Sequence, residues 1–441
     1  MSEPRQHSLL PSQTFVPRPA NEDRDAWHAY WTAQGQPWRT EPEIDEKRQA
    51  ELDQHRVIVP DIAKGIYPFK GVKLSRADVE WLLAKHENGR GPVDWSDESQ
   101  RAREGLDLRA ADLRDVDLRC LPLACLRGGL TRSDWVAEAS LEQGKMAQIH
   151  LEKANLILAH LEGASLTFGH LEEVNLYGAY LGKSDLYGAH LEGAYFYRTH
   201  LEAASLRGAF FDTTSFFRYV VLGSEKLGVA LLSDVNWGNV NLALVDWTQL
   251  AMLGDELEAR QAKRWDGKTK NNDDHLRACR RAVRAYRQIA AVLLEQGLNE
   301  DATRFAYRAQ VLQRRVLWRL LLQYRMKLRK RMRTFSSWLF SWFLFLLAGY
   351  GYRPSRSFLA YFLVITGFAT AYYFLGHAVG PALSPLEAFV FSMTSFHGRG
   401  FFPGGIKLDD PLTVLAAIEA LVGLIIEVTF IATLTRRFFG Q

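Results

Sequence analysis

The sequence contains few cysteines and none of the short motifs that mark common enzymes. Among its 441 residues are only Cys120, Cys125 and Cys279, so any disulfide scheme leaves one thiol unpaired. No CxxC pair and no Cys/His cluster with metal-ligand spacing is present. GxSxG, P-loop and HExxH motifs are absent too, and no set of residues suggests a catalytic triad. We therefore expect no enzyme, no catalytic residues, and no resident metal or cofactor.

The amino terminus, MSEPRQHSLLPSQTF, lacks the apolar run of a secretory signal, which predicts a cytosolic start. Residues 1–105 are expected to form a cytosolic cap region that is partly disordered. Within it, Ile44–His55 and Ser75–Lys85 have helical spacing of apolar residues, and Ser75 with Asp78 resembles a capping box. We expect this region to cover the end of the domain that follows.

Acidic residues are missing from one long stretch of the chain. The net charge of +4 and the mean hydropathy of −0.16 are typical of a soluble protein. Residues 304–333, however, contain eleven Lys and Arg and no Asp or Glu. Twenty aromatic residues then lie between Phe335 and Phe402. The averages therefore hide a basic segment followed by an aromatic-rich apolar one.

A five-residue period is the strongest pattern in the sequence. Every fifth residue over 141–216 is large and apolar, and most residues two places earlier are small. Neither the helical period of 3.6 nor the strand period of 2 produces this pattern. It predicts a square coil with one pentapeptide per side and both positions pointing inward. The large positions are Leu141, Met146, Leu151, Leu156, Leu161, Leu166, Leu171, Leu176, Leu181, Leu186, Leu191, Phe196, Leu201, Leu206, Phe211 and Phe216.

The repeats Ala154-Asn155-Leu156 and Ser184-Asp185-Leu186 fit the pattern A-(D/N)-L-x-x. In this respect the sequence resembles the pentapeptide-repeat family. The resemblance covers about residues 106–250 and implies a right-handed quadrilateral β-helix. Some members of that family are acidic DNA mimics, but the mixed charge of this segment does not fit that role, and we expect no nucleic-acid partner.

Histidines recur in the coil at intervals that bring them above one another. Four pentapeptides per coil place residues twenty apart in adjacent coils, about 4.8 Å away. Nearly all of these positions are followed by Leu-Glu, the exception being Tyr180, which Leu-Gly follows. The rows either bind a transition metal or sense pH, or they are a solvated face that was duplicated with the repeats. The expected rows are His150, His170 and His190 on one side, and His160, Tyr180 and His200 on the opposite side.

Residues 251–334 are expected to form a basic helical linker, an αα-hairpin whose first helix ends at Gly297 and whose second begins near Asn299. Its basic end stops at an apolar zone, which favours binding to anionic lipid headgroups over binding to nucleic acid. A second basic pair follows the apolar zone. The membrane-surface residues we expect are Arg329, Lys330, Arg331, Arg333, Arg436 and Arg437.

The apolar zone divides into an interfacial part and two spans. Residues 335–357 are expected to form an interfacial helix and a turn, the turn containing Gly349-Tyr350-Gly351. Phe358–Val379 and Thr413–Thr435 are long enough to cross a bilayer. Basic flanks before the first span and after the second predict cytosolic N- and C-termini. We therefore expect a multi-pass membrane protein with two crossings.

The segment between the spans has the character of a pore loop. Residues 385–411 begin with an amphipathic pattern and continue with a glycine-rich stretch. Residues 358–437 as a whole resemble the two-transmembrane pore-loop channels of the potassium-channel superfamily. The filter signature T-x-G-Y-G of that family is absent, and Arg399 would place a cation near the axis, so potassium selectivity is not expected. The aligned pore-loop and filter residues are Thr394, Ser395, Phe396, His397, Gly398, Arg399 and Gly400.

Three residues of the second span lie four positions apart and share one helical face. Glu419 is expected to brace the filter, and Glu427 is expected to face the pore lumen and attract cations. The resemblance of this span to the inner helix of the pore-loop channels implies that Gly423 is a candidate hinge. Carboxylates within a membrane are functional candidates because burying them without a partner is costly. The alternative is that both glutamates are hydrogen-bonded packing residues.

Taken with these features, the resemblance implies a homotetrameric, cation-conducting channel with a non-standard filter in the cell inner (plasma) membrane. Four chains are expected since one pore loop per chain cannot enclose a pore. Its cytosolic pentapeptide-repeat domain would gate the pore through an unidentified partner or ligand. The expected partners are three further copies of the chain, membrane lipids and a permeant monovalent cation. The alternative is a non-conducting, membrane-anchored scaffold or sensor that uses the β-helix to bind partners.

Overall fold

A computed structural model describes residues 17–438, apart from positions 21, 87–91, 96, 102, 137–138, 265–266, 324–326, 380–381 and 399–409. The chain forms two compact units, Met1–Thr269 with Arg284–Leu298 and Lys270–Val283 with Asn299–Gln441. In chain order the helices are α1 (Arg24–Ala33), α2 (Glu46–Arg56), α3 (Arg76–Lys85), α4 (Glu98–Arg101), α5 (Arg132–Val136), α6 (Leu141–Met146), α7 (Gly254–Arg260), α8 (Asn272–Glu295), α9 (Asn299–Leu321), α10 (Leu328–Ala348), α11 (Pro354–Val379), α12 (Pro385–Phe396) and α13 (Pro411–Phe438). The named strands are β1 (Tyr195–Tyr197), β2 (Phe216–Arg218), β3 (Gly223–Ser224) and β4 (Gly228–Val229).

Backbone pairing at twenty-residue intervals builds a coil in the first unit. Parallel bridges join His150 to His170 and His170 to His190. The other three sides repeat this spacing, for example between Asn155 and Asn175. Each of these coils therefore contains four pentapeptides, and most of its strands are single bridging residues between turns. The four-sided β-helix expected from the five-residue period is present.

The interior of the coil is filled by the two inward positions of each pentapeptide. Leu156 and Ala154 are fully buried, as are the equivalent residues of the neighbouring repeats. Burying a leucine contributes about 1.5–3 kcal/mol, so the stacked leucines are a main source of stability. The corners turn at residues with positive φ, such as Lys153 at 59°. This conformation lets the Lys153 N–H donate to the carbonyl of Glu172 in the next coil, at 2.9 Å.

A helical insertion follows the first coil. The bridge from Asp112 to His150 joins residues farther apart than the usual twenty, and the extra residues include α5 and α6. Ser140 begins α6 with a capping box, which fixes a helical turn locally. Leu141 and Met146, which the five-residue period places inside the coil, lie in this helix and are 53% and 38% exposed. Their assignment to the coil interior was wrong because local capping outweighs the repeat.

One extra residue changes the register near the end of the regular coil. In the parallel pair of β1 and β2, Tyr195 lies opposite Phe216, twenty-one positions later. Phe217 is the buried residue of β2, whereas Phe216 is only partly buried. The inward position expected at Phe216 is therefore corrected to Phe217, since an inserted residue shifts every later side chain by one place.

The amino-terminal region covers one end of the coil. Lys73 forms a parallel bridge with Asp112, and the Arg76 guanidinium donates to the carbonyl of Asp117 at 3.1 Å. α3 begins with the expected capping box of Ser75 and Asp78. These contacts give partners to backbone groups that an open edge would leave unpaired.

The last repeats contact α7 and the part of α8 that belongs to the first unit. The buried guanidinium of Arg207 donates to Asp255 at 2.8 Å, and it also pairs with Glu258. The Tyr286 hydroxyl donates to Glu256 at 2.8 Å. These contacts pair the charges that this end of the unit removes from water.

The second unit is helical. The linker helix α8 ends just before Gly297 and α9 begins just after it, as expected. Helices α11, α12 and α13 share a buried cluster that includes Tyr372, Phe391 and Ala416. Two segments, Ser355–Ala378 and Pro411–Thr435, are long and apolar enough to cross a membrane.

Leu186→Ala should lower the free energy of unfolding of the coil by about 2–5 kcal/mol, because this leucine is fully buried. Leu141→Ala is the matched control and should change it by less than about 0.5 kcal/mol, because Leu141 is exposed on α6. Hydrogen exchange of coil peptides during denaturant titration measures both values. Equal losses would contradict the helical insertion.

Asp112 makes the stability of the first coil depend on pH. The Arg114 guanidinium donates to its carboxylate at 2.8 and 2.6 Å, and this lowers the pKa of Asp112 from 3.8 to about 2. A lowered folded-state pKa adds stability above the unfolded value, and this stability is lost as the pH falls through the folded value. Asp112→Asn should therefore lower the melting temperature at pH 7, and the difference from wild type should shrink as the pH falls below 3.8 and vanish below about pH 2. A difference that stays constant across this range would contradict the assignment.

Candidate functional site

Helix α12 is a short helix packed against two long apolar ones. It contains 12 residues, which corresponds to about 18 Å, so it is too short to cross a bilayer of about 30 Å. Ser384 and Glu387 form a capping box at its start, and Pro385 occupies a first-turn position that needs no N–H. Local sequence therefore begins this helix directly after the first long apolar segment.

Glu419 is a fully buried carboxylate on α13. Its Oε2 accepts a hydrogen bond from the Tyr372 hydroxyl of α11 at 2.6 Å. Its Oε1 lies 2.5 Å from the Ser392 hydroxyl of α12, which is also 2.9 Å from the carbonyl of Ile365. A buried carboxyl group without partners is costly. One side chain thus ties α11, α12 and α13 together.

Gly423 lies where the end of α12 touches α13. A Cβ atom at this position would be 2.1 Å from the carbonyl oxygen of Phe396, which is far inside van der Waals contact. The glycine is therefore required by close approach of two backbones. α13 is continuous through Gly423, so this packing accounts for a glycine that the sequence suggested as a hinge.

Glu427 pairs with the residue that ends α12. Its Oε1 lies 2.5 Å from His397 Nδ1, and the Tyr361 hydroxyl lies 3.1 Å from His397 Nε2. The histidine and the glutamate are 36% and 38% exposed. All three side chains border a cavity of about 530 Å³ whose other lining residues are Ser357, Phe358, Ile426, Phe430 and Ile431.

The predicted filter segment begins inside α12. Thr394, Ser395 and Phe396 form its last turn, and the Thr394 hydroxyl bonds back to the carbonyl of Val390 at 3.1 Å. These three residues are therefore helical and do not form the extended carbonyl row expected of a filter. His397 is the C-cap, and Gly398 leaves the helix with φ +67°. The remaining two predicted filter residues, Arg399 and Gly400, lie outside the described residues.

The glutamates and the glycine share one face of α13, as their spacing predicts, and this face contacts α12. Sequence reasoning missed Tyr372 and Ser392, which bond to Glu419, and Tyr361, which bonds to the His397 that pairs with Glu427. Tyr372 is 47 positions from Glu419, so no local pattern connects them. Chemically, two hydroxyl groups fix the carboxyl group of Glu419, whereas the carboxylate of Glu427 pairs with a histidine at the edge of the cavity.

The predicted basic residues lie at helix ends. Arg329, Lys330, Arg331 and Arg333 are exposed on the first turns of α10. Arg436 and Arg437 lie in the last turn of α13, and their side chains are outside the described residues. The positive charges of α10 are thus available to a partner of opposite charge.

The triplet Gly349-Tyr350-Gly351 forms a turn between α10 and α11, as expected. Tyr350 has φ +61°, and its hydroxyl lies 2.9 Å from that of Ser341. The Arg314 guanidinium stacks on Phe345 with 4.1 Å to the ring centroid. This filter-like triplet therefore serves as a packed turn that connects α10 to α11.

Comparison with known proteins concerns the coil. Residues 175–212 match the sequence model of the pentapeptide repeats, in eight copies, and no curated protein matches the chain. A pentapeptide-repeat protein from the thylakoid lumen of Arabidopsis thaliana is 18% identical, with 29% of this chain and 81% of that chain covered and a TM-score of 0.15.

Two cyanobacterial proteins give similar values. Rfr23 from Cyanothece 51142 is 24% identical over 29% of this chain and 90% of its own, with a TM-score of 0.12. HetL from Nostoc sp. strain PCC 7120 is 18% identical over 38% and 82%, with a TM-score of 0.14. The coil is assigned from the family match and from its own hydrogen-bond register, and on these grounds the chain contains a pentapeptide-repeat domain.

Proposed function

We propose that residues 358–437 form the subunit of a homotetrameric, cation-conducting channel, with the pentapeptide-repeat domain as its cytosolic regulator. The observation that carries this proposal is the position of α12. A helix too short to span is fixed by Glu419 and Gly423 between two helices that are long enough to span. This is the arrangement that a re-entrant pore helix requires.

Exposed apolar side chains support insertion of the second unit into a membrane. α10 exposes aromatic residues to the surroundings, and α11 and α13 expose aliphatic ones as well. In water, so large an apolar surface would promote aggregation, whereas contact with lipid chains avoids the free-energy cost of exposing it to water. Representative exposed residues are Phe335, Phe340, Phe343, Leu346, Phe358, Leu359, Phe362, Leu363, Leu421, Leu424 and Ile431.

The basic first turns of α10 support the view that the chain enters the membrane from the cytosolic side. Arg329, Lys330, Arg331 and Arg333 directly precede the aromatic part of this helix. Positive residues remain on the cytosolic side and attract anionic lipids. With two crossings, both termini are cytosolic. The membrane that the spans cross is the inner (plasma) membrane of the cell.

A single chain supplies one pore helix, so a pore needs several copies around an axis. We assign Glu419 to bracing, because its carboxyl group is occupied by two hydroxyl groups. Glu427 has the accessible carboxylate and is the candidate for attracting cations. The sequence Gly398-Arg399-Gly400, which stands where the filter signature T-x-G-Y-G would be, disfavours selectivity for potassium.

Pentapeptide-repeat domains suggest scaffolds for protein interactions, and we propose that this coil transmits the binding of a cytosolic partner to the pore. The second candidate is a non-conducting, membrane-anchored scaffold or sensor. The repeat domain itself favours it, since the coil needs no pore in order to bind a partner.

Reconstitution separates these two functions. The purified full-length protein is inserted into liposomes, and cation flux is measured together with particle symmetry by electron microscopy. The channel predicts flux and four-fold symmetry about the spans. A folded preparation that is monomeric and silent would favour the scaffold.

Gly423→Ala should abolish most flux, because the added Cβ would force α12 away from α13. Gly367→Ala on α11 is the matched control, since a Cβ there meets no atom within 4 Å. Flux per assembled particle is compared between the two variants. Equal activity would show that the contact between Gly423 and α12 does not position the pore.

Glu427→Gln should reduce the preference for cations over anions, and the reversal potential in a salt gradient should move toward zero. Glu419→Gln is the comparison, because it removes a bracing group and should lower the yield of assembled protein without changing the selectivity of what assembles. Single-channel recordings in asymmetric KCl measure both. Unchanged selectivity and conductance in Glu427→Gln would remove this residue from the ion pathway.

A further inference from the structure

The histidine rows of the coil are a chemical feature that the proposed pore does not use. The rings of His150, His170 and His190 are stacked, with centroids 4.8 and 5.2 Å apart and planes within 9°. The row expected from the sequence is therefore confirmed. It brings imidazoles of successive coils into register on one side of the domain.

A glutamate accompanies each imidazole of this row. Nδ1 of His170 lies 3.0 Å from Glu172 Oε1, and Nδ1 of His190 lies 3.4 Å from Glu192 Oε1. The other carboxylate oxygen, Oε2, of Glu152, Glu172 and Glu192 is shielded from solvent and has no hydrogen-bond partner within the described chain. Acceptors with free lone pairs therefore lie between the coils.

We propose that this row binds divalent transition-metal ions of the Zn²⁺ class at two successive steps of the coil. The first site consists of Glu152, His170 and Glu172, and the second of Glu172, His190 and Glu192. In each group the ligand atoms lie within 4.8 Å of one another. A tetrahedral zinc ion places its ligand atoms about 3.4 Å apart, so small side-chain rotations close each site.

Charge favours an ion at these sites. Carboxylates of adjacent coils repel each other at this spacing, and their free oxygens receive no hydrogen bond. A divalent cation would replace the repulsion with two attractive contacts. One imidazole with two carboxylates suits zinc and related ions, whereas calcium and magnesium prefer oxygen ligands alone. A water molecule would complete the coordination.

The ends of the row limit binding to two steps. In the coil register, Arg114 occupies the place of a glutamate before Glu152. Phe210 stacks on His190 at 4.9 Å and offers no ligand atom. Within the described coil, two glutamates of adjacent coils that share a nearby histidine therefore occur only at the two steps named.

The opposite side of the coil is a natural comparison. His160, Tyr180 and His200 also stack, at 4.8 Å per step. Tyr180 interrupts the imidazoles, however, and Gly182 replaces the glutamate that would follow it. Glu162 and Glu202 are thus separated by a full coil and cannot share an ion.

The test uses tag-free, full-length protein in detergent, stripped with a chelator and titrated with Zn²⁺ in equilibrium dialysis. Wild type should bind up to two ions more than Glu172→Gln, which loses the ligand shared by both sites. Glu152→Gln should lose one of them. Glu162→Gln on the opposite side is the matched control and should bind as wild type does.

A second readout guards against variants that do not fold. Zn²⁺ should raise the melting temperature of the coil in wild type and in Glu162→Gln, and not in Glu172→Gln. Without metal, Glu172→Gln should melt at or above the temperature of wild type, because the substitution removes the repulsion between carboxylates, and this shows that the variant folds. Equal zinc binding in wild type and Glu172→Gln, or no saturable binding in wild type, would overturn the proposal. Neither outcome depends on whether the chain conducts ions.

Discussion

Polar groups that folding removes from water must find partners inside the protein, and both units of this chain are organised by that requirement. In the coil, the groups are backbone amides and carbonyls. The N–H of Leu156 meets the carbonyl of Asn175 in the next coil at 2.8 Å, and this pairing repeats around the coil. In the helical unit, Glu419 meets the same requirement by accepting hydrogen bonds from hydroxyl groups on two other helices.

The coil could be predicted in detail because its pairing repeats at short range. One five-residue pattern determines which side chains point inward, and His150, His170 and His190 stack as this pattern requires. The prediction failed where another local interaction was stronger. The capping box at Ser140 starts a helix and takes Leu141 out of the coil, although this leucine keeps the spacing of the repeat.

The site in the helical unit could be predicted only in part. Charged residues in an apolar segment identify Glu419 and Glu427, and their spacing places them on one face. Their partners are distant in sequence, and a hydroxyl or a histidine gives no signal of which carboxylate it will meet. The packing role of Gly423 was equally hidden, because it depends on the position of the carbonyl of Phe396.

Both the coil and the proposed pore depend on repetition of a unit. In the coil, the repeats within one chain bring identical side chains to a fixed spacing. Side chains of adjacent coils can therefore bind a ligand together that one repeat could not bind alone. In the proposed pore, copies of the whole chain do the same around an axis, since a single α12 cannot enclose anything. Where the repetition is broken, this shared chemistry stops. Tyr180 interrupts one histidine row, and Phe210 ends the other.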